Sequence, residues 1–242
     1  MPKLRFALLF ALTGALLAQA PDKGDKTDKT DKVDTAKEVS EAMAGWSKMS
    51  GVEKVAALNK VAGLGGPAAV HALTGKLHEK DGALRKEAAA ALGKMKDDHA
   101  VPALINALDA EGDEKAGDVD AFVAVCHALG DIGDARAIQP LVHGVLSGNR
   151  REANWQKRGN ARIEALGGIR SKDAIDELLD LWVRGTSSSR ATGSMRGGGN
   201  ANNPFSGAIV ASLNKLTGQT LNDQKAYHDW WKDNRAHFKF KA

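Results

Sequence analysis

The lone thiol Cys126, seven histidines and an acidic run at 109–120 are the residues with the means to do chemistry in this chain of 242 residues. One cysteine excludes a disulfide framework, a thiolate zinc site, a Cys-ligated iron–sulfur cluster and a C-x-x-C-H haem attachment, because each needs a pair of thiols or more. Cys126 shares an apolar stripe with Phe122, Val125 and Leu129, which predicts a buried, inert thiol. The histidines, at 71, 78, 99, 127, 143, 228 and 237, form neither H-x-x-x-H nor H-E-x-x-H. Those spacings would aim two imidazoles at one metal from a helix face.

The run from Asp109 to Asp120 carries six acids against one lysine, with Asp109, Glu111, Asp113 and Asp120 at its positions 1, 3, 5 and 12. Calcium takes oxygens at such spacing, but the EF-hand turn needs glycine at position 6 and a long bidentate glutamate at position 12. Glu114 and the shorter Asp120 stand there instead. The run therefore reads as a solvated connection, its four carboxylates weak calcium candidates, and no metal or cofactor site is expected. A second charged cluster has the opposite sign. Arg150, Arg151, Lys157, Arg158 and Arg162 lie close together, followed by Arg184, Arg190 and Arg196, and they read either as solvated surface or as an anion-binding patch.

The elements that carry these groups repeat. Ala91-Leu92-Gly93, Ala128-Leu129-Gly130 and Ala165-Leu166-Gly167 recur at a constant period of 37 residues. Downstream the register holds without gaps: Met95, Ile132 and Ile169; Ala100, Ala137 and Ala174; Val101, Ile138 and Ile175; Leu104, Leu141 and Leu178. Ile105, Val142 and Leu179 follow, then Leu108, Val145 and Trp182. Within a copy, Val101, Leu104, Ile105 and Leu108 fall at i, i+3, i+4 and i+7, one stripe of a helix. Leu84, Ala88, Ala91, Leu92 and Met95 make a second stripe upstream. Each copy is thus a pair of antiparallel helices that buries its apolar faces only by stacking on its neighbours. Weaker copies precede (Val61, Leu64, Ala69, Val70, Leu73, Leu77) and follow (Leu213, Leu216), which predicts an all-α solenoid of about five helix pairs over 38–242.

The ends differ in kind. Residues 1–20 place Lys3 and Arg5 before an apolar run from Phe6 to Leu17 and finish on Ala18-Gln19-Ala20, the order of a cleaved secretory signal peptide. The run is too short to span a bilayer, so the reading is a periplasmic or secreted chain without a membrane span, cleaved after Ala20. Cleavage removes two of the four net positive charges, so the basic balance is largely targeting information. Residues 21–37 mix Lys and Asp with almost nothing apolar and read as a flexible linker. Val39, Met43, Trp46 and Met49 predict a capping helix before the first pair. A Gly/Ser-rich insertion at 185–207 interrupts the period, and 208–242 reads as an aromatic C-terminal cap, with Tyr227, Trp230, Trp231, Phe238 and Phe240.

Leu84-Arg85-Lys86-Glu87 through Leu92-Gly93, and Asp97-Asp98-His99-Ala100-Val101-Pro102-Ala103-Leu104, resemble the HEAT-like repeat family, above all its short bacterial form found also in bilin lyases. The resemblance covers about residues 50–184, and the family's hydrophobic-Arg start is lost at Ala121-Phe122 and Arg158-Gly159. Leu216-Thr217-Gly218-Gln219 followed by Trp230-Trp231 is similar to the ending of a group of exported bacterial HEAT-repeat proteins. The resemblance implies a right-handed superhelix with the second helix of each pair on its concave side. Two rows of non-core positions would then face a partner: His71, Pro102, Gln139 and Asp176, and Gly75, Asn106, His143 and Asp180. The family's di-iron hydroxylases carry several His-Glu pairs where this chain has only His78-Glu79, so their chemistry is not expected. The resulting expectation is a monomeric, non-enzymatic module that binds or scaffolds another protein through His71, Asn106, Gln139, His143, Asp176 and Asp180. A polyanion such as nucleic acid, held by residues 150–196, is the alternative, and a bilin-lyase-like enzyme the second alternative.

Overall fold

The computed structural model describes residues 27–112, 117–146, 152–190, 203–221 and 223–240. The segment read as a signal peptide lies outside the described residues, as do 191–202 of the insertion. Eleven α-helices and no strand occur among the described residues, and no helix there is long and apolar enough to cross a membrane.

A leading helix, α1 (Thr27–Met43), is followed by five pairs. These are α2 (Gly51–Leu64) with α3 (Gly66–Lys76), α4 (Gly82–Met95) with α5 (Val101–Gly112), and α6 (Val119–Ile132) with α7 (Ile138–His143). The last two are α8 (Trp155–Leu166) with α9 (Lys172–Arg190), and α10 (Ser206–Thr217) with α11 (Gln224–Asn234). The first helices pack in series, α2 on α4, α4 on α6, α6 on α8 and α8 on α10, while α9 touches both α7 and α11. Two layers of helices thus share one continuous core.

Local chemistry sets the helix starts. Ser50 and Glu53 form a reciprocal capping box at α2, and the Asp81, Asp118 and Asp223 carboxylates accept the free N–H groups at the starts of α4, α6 and α11. Asp97, Asp134 and Ser171, one period apart, each accept the backbone N–H two residues on and so make the same tight turn into the second helix. Of the 24 residues in the eight aligned apolar positions, all but Met95, Ile105 and Ile132 are buried, and these three pack against the core. Each fully buried leucine, isoleucine or valine among them contributes roughly 1.5–3 kcal/mol.

The Ala-Leu-Gly triplets form the seam between pairs. A Cβ added to Gly93 would lie 2.9 Å from the Cα of Ala128, and one added to Gly130 would lie 2.9 Å from both the Cα and the carbonyl oxygen of Ala165. At Gly167 it would meet the Ser212 side chain at 2.7 Å. Gly93 and Gly130 therefore let the next first helix approach backbone to backbone against the alanine that opens its own triplet, while Gly167 makes room for a serine side chain.

Three boundaries differ from the sequence expectations. The segment expected to be a flexible linker is helical from Thr27, because α1 runs back through it. Lys37 and Glu41, 3.9 Å apart and four residues apart, support the helix electrostatically, and Val39 and Ala42 anchor it in the core. The capping helix expected through Met49 stops at Met43, since Gly45 at φ 73° turns the chain before a short 3-10 turn at Trp46–Lys48. The insertion expected from Gly185 is helical as far as Arg190, and its far end is fixed as well. Asn203 is buried and donates to the carbonyls of Leu181 and Trp182 at 3.1 Å each, while Phe205 packs on Trp155 with ring centroids 4.7 Å apart.

Candidate functional site

The two predicted rows sit on successive second helices. His71, Pro102 and Gln139 are exposed on α3, α5 and α7, and Gly75, Asn106, His143 and Asp180 are exposed on α3, α5, α7 and α9. Gln139 of α7 donates to Glu177 of α9 at 2.8 Å, whereas Asp180 pairs with Arg184, one turn along α9, at 2.5 Å. Between these helices is a hollow of about 280 Å³ lined by Gln139, Asp173, Asp176 and Glu177 among others.

Asp176 departs from the expectation of a partner-binding residue. Its carboxylate accepts the Trp231 indole N–H at 2.6 Å and pairs with the Arg235 guanidinium at 2.7 Å. Partial burial works against the charged form, but the hydrogen bonds from Arg235 and Trp231 outweigh it and hold Asp176 below the usual carboxylate range. This residue fastens the C-terminal helix and is already occupied.

The basic cluster is also engaged, as far as it is described. Arg150 and Arg151 lie outside the described residues. Lys157 pairs with Asp120 at 2.7 Å, and Arg158 donates to the Gly112 carbonyl at 3.3 Å. Arg162 corrects the surface reading outright, being only 8% exposed. Its Nη1 donates to the carbonyls of Pro140 at 2.7 Å and Leu141 at 3.3 Å, and its guanidinium lies 5.1 Å from the centre of the Phe122 ring. Those carbonyls belong to the last turn of α7, whose oxygens have no partner within the helix and attract a cation. Gly144 leaves the space, since a Cβ there would collide with the guanidinium. Burial lowers the Arg162 pKa from its usual value.

The acidic run resolves into separate structural roles. Glu111, 4% exposed, pairs with Arg85 and accepts the Asp118 backbone N–H at 2.7 Å. Arg85 also donates to the carbonyls of Glu79 and Lys80 at 2.9 and 3.0 Å, so it ties α4 to the end of the preceding pair. Asp120 holds Lys157, Asp109 is exposed on α5, and Asp113 lies outside the described residues. Cys126 is fully buried, and that burial pushes its thiol up to about 12. A cluster the sequence reading passed over is Asp97, Asp98 and His99, whose ligand atoms lie within 4.8 Å of one another. Arg136 reaches into it from the next pair, 3.3 Å from Asp98, and so supplies a cation there.

The aromatic end does more than cap. Trp231 is buried, but Trp230 is only half-buried and stacks on it with centroids 5.9 Å apart. Phe238 meets Trp230 edge-on at 5.8 Å, and Phe240 meets Phe238 at 5.1 Å. Trp230, Phe238 and Phe240, with Leu216-Thr217-Gly218-Gln219, bound a second hollow of about 450 Å³. The quoted ending was the available signal, but nothing in its spacing showed that its two halves meet.

Residues 43–119 match the family of HEAT repeats. A stretch of 59 residues is 51% identical to the bilin biosynthesis protein PecE of Mastigocladus laminosus, and it covers 24% of this chain and 20% of that protein. The chain thus spans about a fifth of the length of that relative. The solved structure of human deoxyhypusine hydroxylase in complex with glycerol aligns with a TM-score of 0.44 and 16% identity, covering 87% of this chain and 100% of that one. The expectation of a non-enzymatic chain is corrected by the first of these relatives, because the repeats here are shared at high identity with a protein of biosynthesis. Missing catalytic spacings alone exclude no activity, since a repeat surface can assemble groups from several helices. Residues 43–119 are thus similar to HEAT repeats, and the helix pairs that follow keep the same two-layer stacking.

Proposed function

We propose that this chain is an exported HEAT-repeat module that docks a protein partner across the exposed rows of its second helices. The observation that carries the reading is the two rows of unlike side chains on successive second helices, with His71, Asn106, Gln139 and His143 all exposed on α3, α5 and α7. A stacked array holds such side chains at fixed intervals, and a partner surface matched to that order is discriminated from one that is not. Export rests on the charged start, apolar run and Ala18-Gln19-Ala20 of the first twenty residues.

The test is retention of a partner from the native cell envelope by the mature chain, compared with a variant carrying His71→Ala, Asn106→Ala, Gln139→Ala and His143→Ala. Loss of the retained protein supports the reading, and equal retention by both removes it. Asp176 is left unchanged because its substitution would loosen the C-terminal helix.

The identity with a bilin biosynthesis protein favours a second reading, in which the docked partner is acted on in a bilin-lyase-like reaction. Mixing the chain with a free bilin and a candidate acceptor protein tests it. A covalent, denaturation-resistant shift in the acceptor's absorbance supports catalysis, and an unchanged acceptor counts against it.

A further inference from the structure

The 450 Å³ hollow at the C-terminal end lies apart from the rows that dock a partner, and its lining has a definite chemistry. Trp230, Phe238 and Phe240 supply aromatic surface, and the ends of α8 and α10 close the remaining wall with Gly167, Gly168 and the segment from Leu216 to Gln219. The rings fix one another through the stacked and edge-on contacts described above, so no side-chain ordering is needed when a flat molecule enters. A hollow of this size falls within the range of small-molecule sites.

Its charge is one-sided. Arg170, Lys215 and Lys239 line it, and among the described residues no carboxylate does. None of the three is ion-paired among the described residues, and Arg170 stands over the Phe240 ring at 5.9 Å. Asp131 and Glu164 line a separate hollow of about 190 Å³ that shares Gly168 and Lys215. The helix ends that reach the site are internally closed, with Gly168 N donating to Ala165 O and Gly218 N to Asn214 O, both at 2.8 Å. Among the described residues, none of the three positive side chains donates to a helix carbonyl.

We propose that this hollow binds a small planar aromatic carboxylate, with its ring against Trp230 and its carboxylate toward Arg170, Lys215 and Lys239. Aromatic area supplies binding for any flat ring, whereas the cations select the anion over its neutral analogue.

Calorimetric titration of the mature full chain with 2-naphthoate tests this. Saturable binding with a Kd on the order of 1 mM or tighter is expected for a ligand of that size. The uncharged 2-naphthamide should bind at least about tenfold more weakly, and inorganic phosphate, which lacks a ring, should give no saturable heat. The triple variant Arg170→Gln, Lys215→Gln, Lys239→Gln changes only exposed side chains. It should keep its helical circular dichroism and lose about tenfold or more in naphthoate affinity, and added salt should weaken wild-type binding. Trp230→Ala should also bind more weakly, whereas Lys60→Gln on α2 should bind as wild type. Equal affinity for naphthoate and naphthamide, an unaffected triple variant, or no saturable naphthoate binding would each overturn the proposal. None of these outcomes bears on partner retention by His71, Asn106, Gln139 and His143, so the two readings fail separately.

Discussion

Between α6 and α8 the helices meet backbone against backbone, with Gly130 beneath Ala165, whereas α9 and α11 meet through the indole of Trp231 and the Arg235–Asp176 pair. The first joint recurs one period earlier at Gly93 and Ala128, but the second has no counterpart in the repeat. A joint of small residues leaves no free volume and is intolerant of a single added carbon. A joint of large side chains covers an end that has no further neighbour, and it fails locally.

The comparison is broken most directly at Gly130. Gly130→Ala would place a methyl 2.9 Å from the Ala165 backbone, which no rotamer can relieve. It should lower stability by about 3 kcal/mol, read as a fall in melting temperature. Gly75→Ala, where nothing lies within 4 Å of the added Cβ, should instead gain up to about 1 kcal/mol from helix propensity. Comparable losses at both sites would mean that close approach is not what makes the seam.

Trp231→Ala tests the other joint. It should cost about 3 kcal/mol and speed amide exchange in α11 while leaving protection in α4 and α6 unchanged, because end units of a stack can open alone. Faster exchange throughout the chain would show that the end is part of one cooperative unit with the centre.

Asp176→Asn should have the smallest effect, about 0.5–1 kcal/mol, since the Arg235 pair is substantially exposed and screened. The carboxylate is held below its usual range in the folded chain, so its contribution is complete above the unfolded value of about 3.9. That contribution is lost as pH falls through the lower folded value. Melting curves of wild type and variant should accordingly converge as acid is added, and parallel curves down to strong acid would remove the ionic account.

The periodic part of this molecule could be read before its coordinates because each residue there repeats a neighbour's environment. Leu104, Leu141 and Leu178 are buried for the same reason, and one triplet at Ala91, Ala128 and Ala165 marks every seam in the centre. What escaped the reading was aperiodic. Asp176 is claimed by Arg235 from 59 residues away, and Arg162 turns inward where a charge count placed it on the surface. The hollow beside Trp230 needed the Leu216–Gln219 turn and the last phenylalanines to converge, a contact that no period announces. Of the candidate partner residues, His71, Asn106, Gln139, His143 and Asp180 keep the exposure expected of them, since a solvent-facing row follows from the same helical phase as the buried one.

The buried guanidinium of Arg162 blurs the unit of the repeat. The last carbonyls of α7, in the third pair, are answered by a cation from α8, in the fourth. A chain divided between the two would strip α7 of its closing group and strand a charge on α8, so the smallest autonomous piece of this stack is longer than the period its sequence displays.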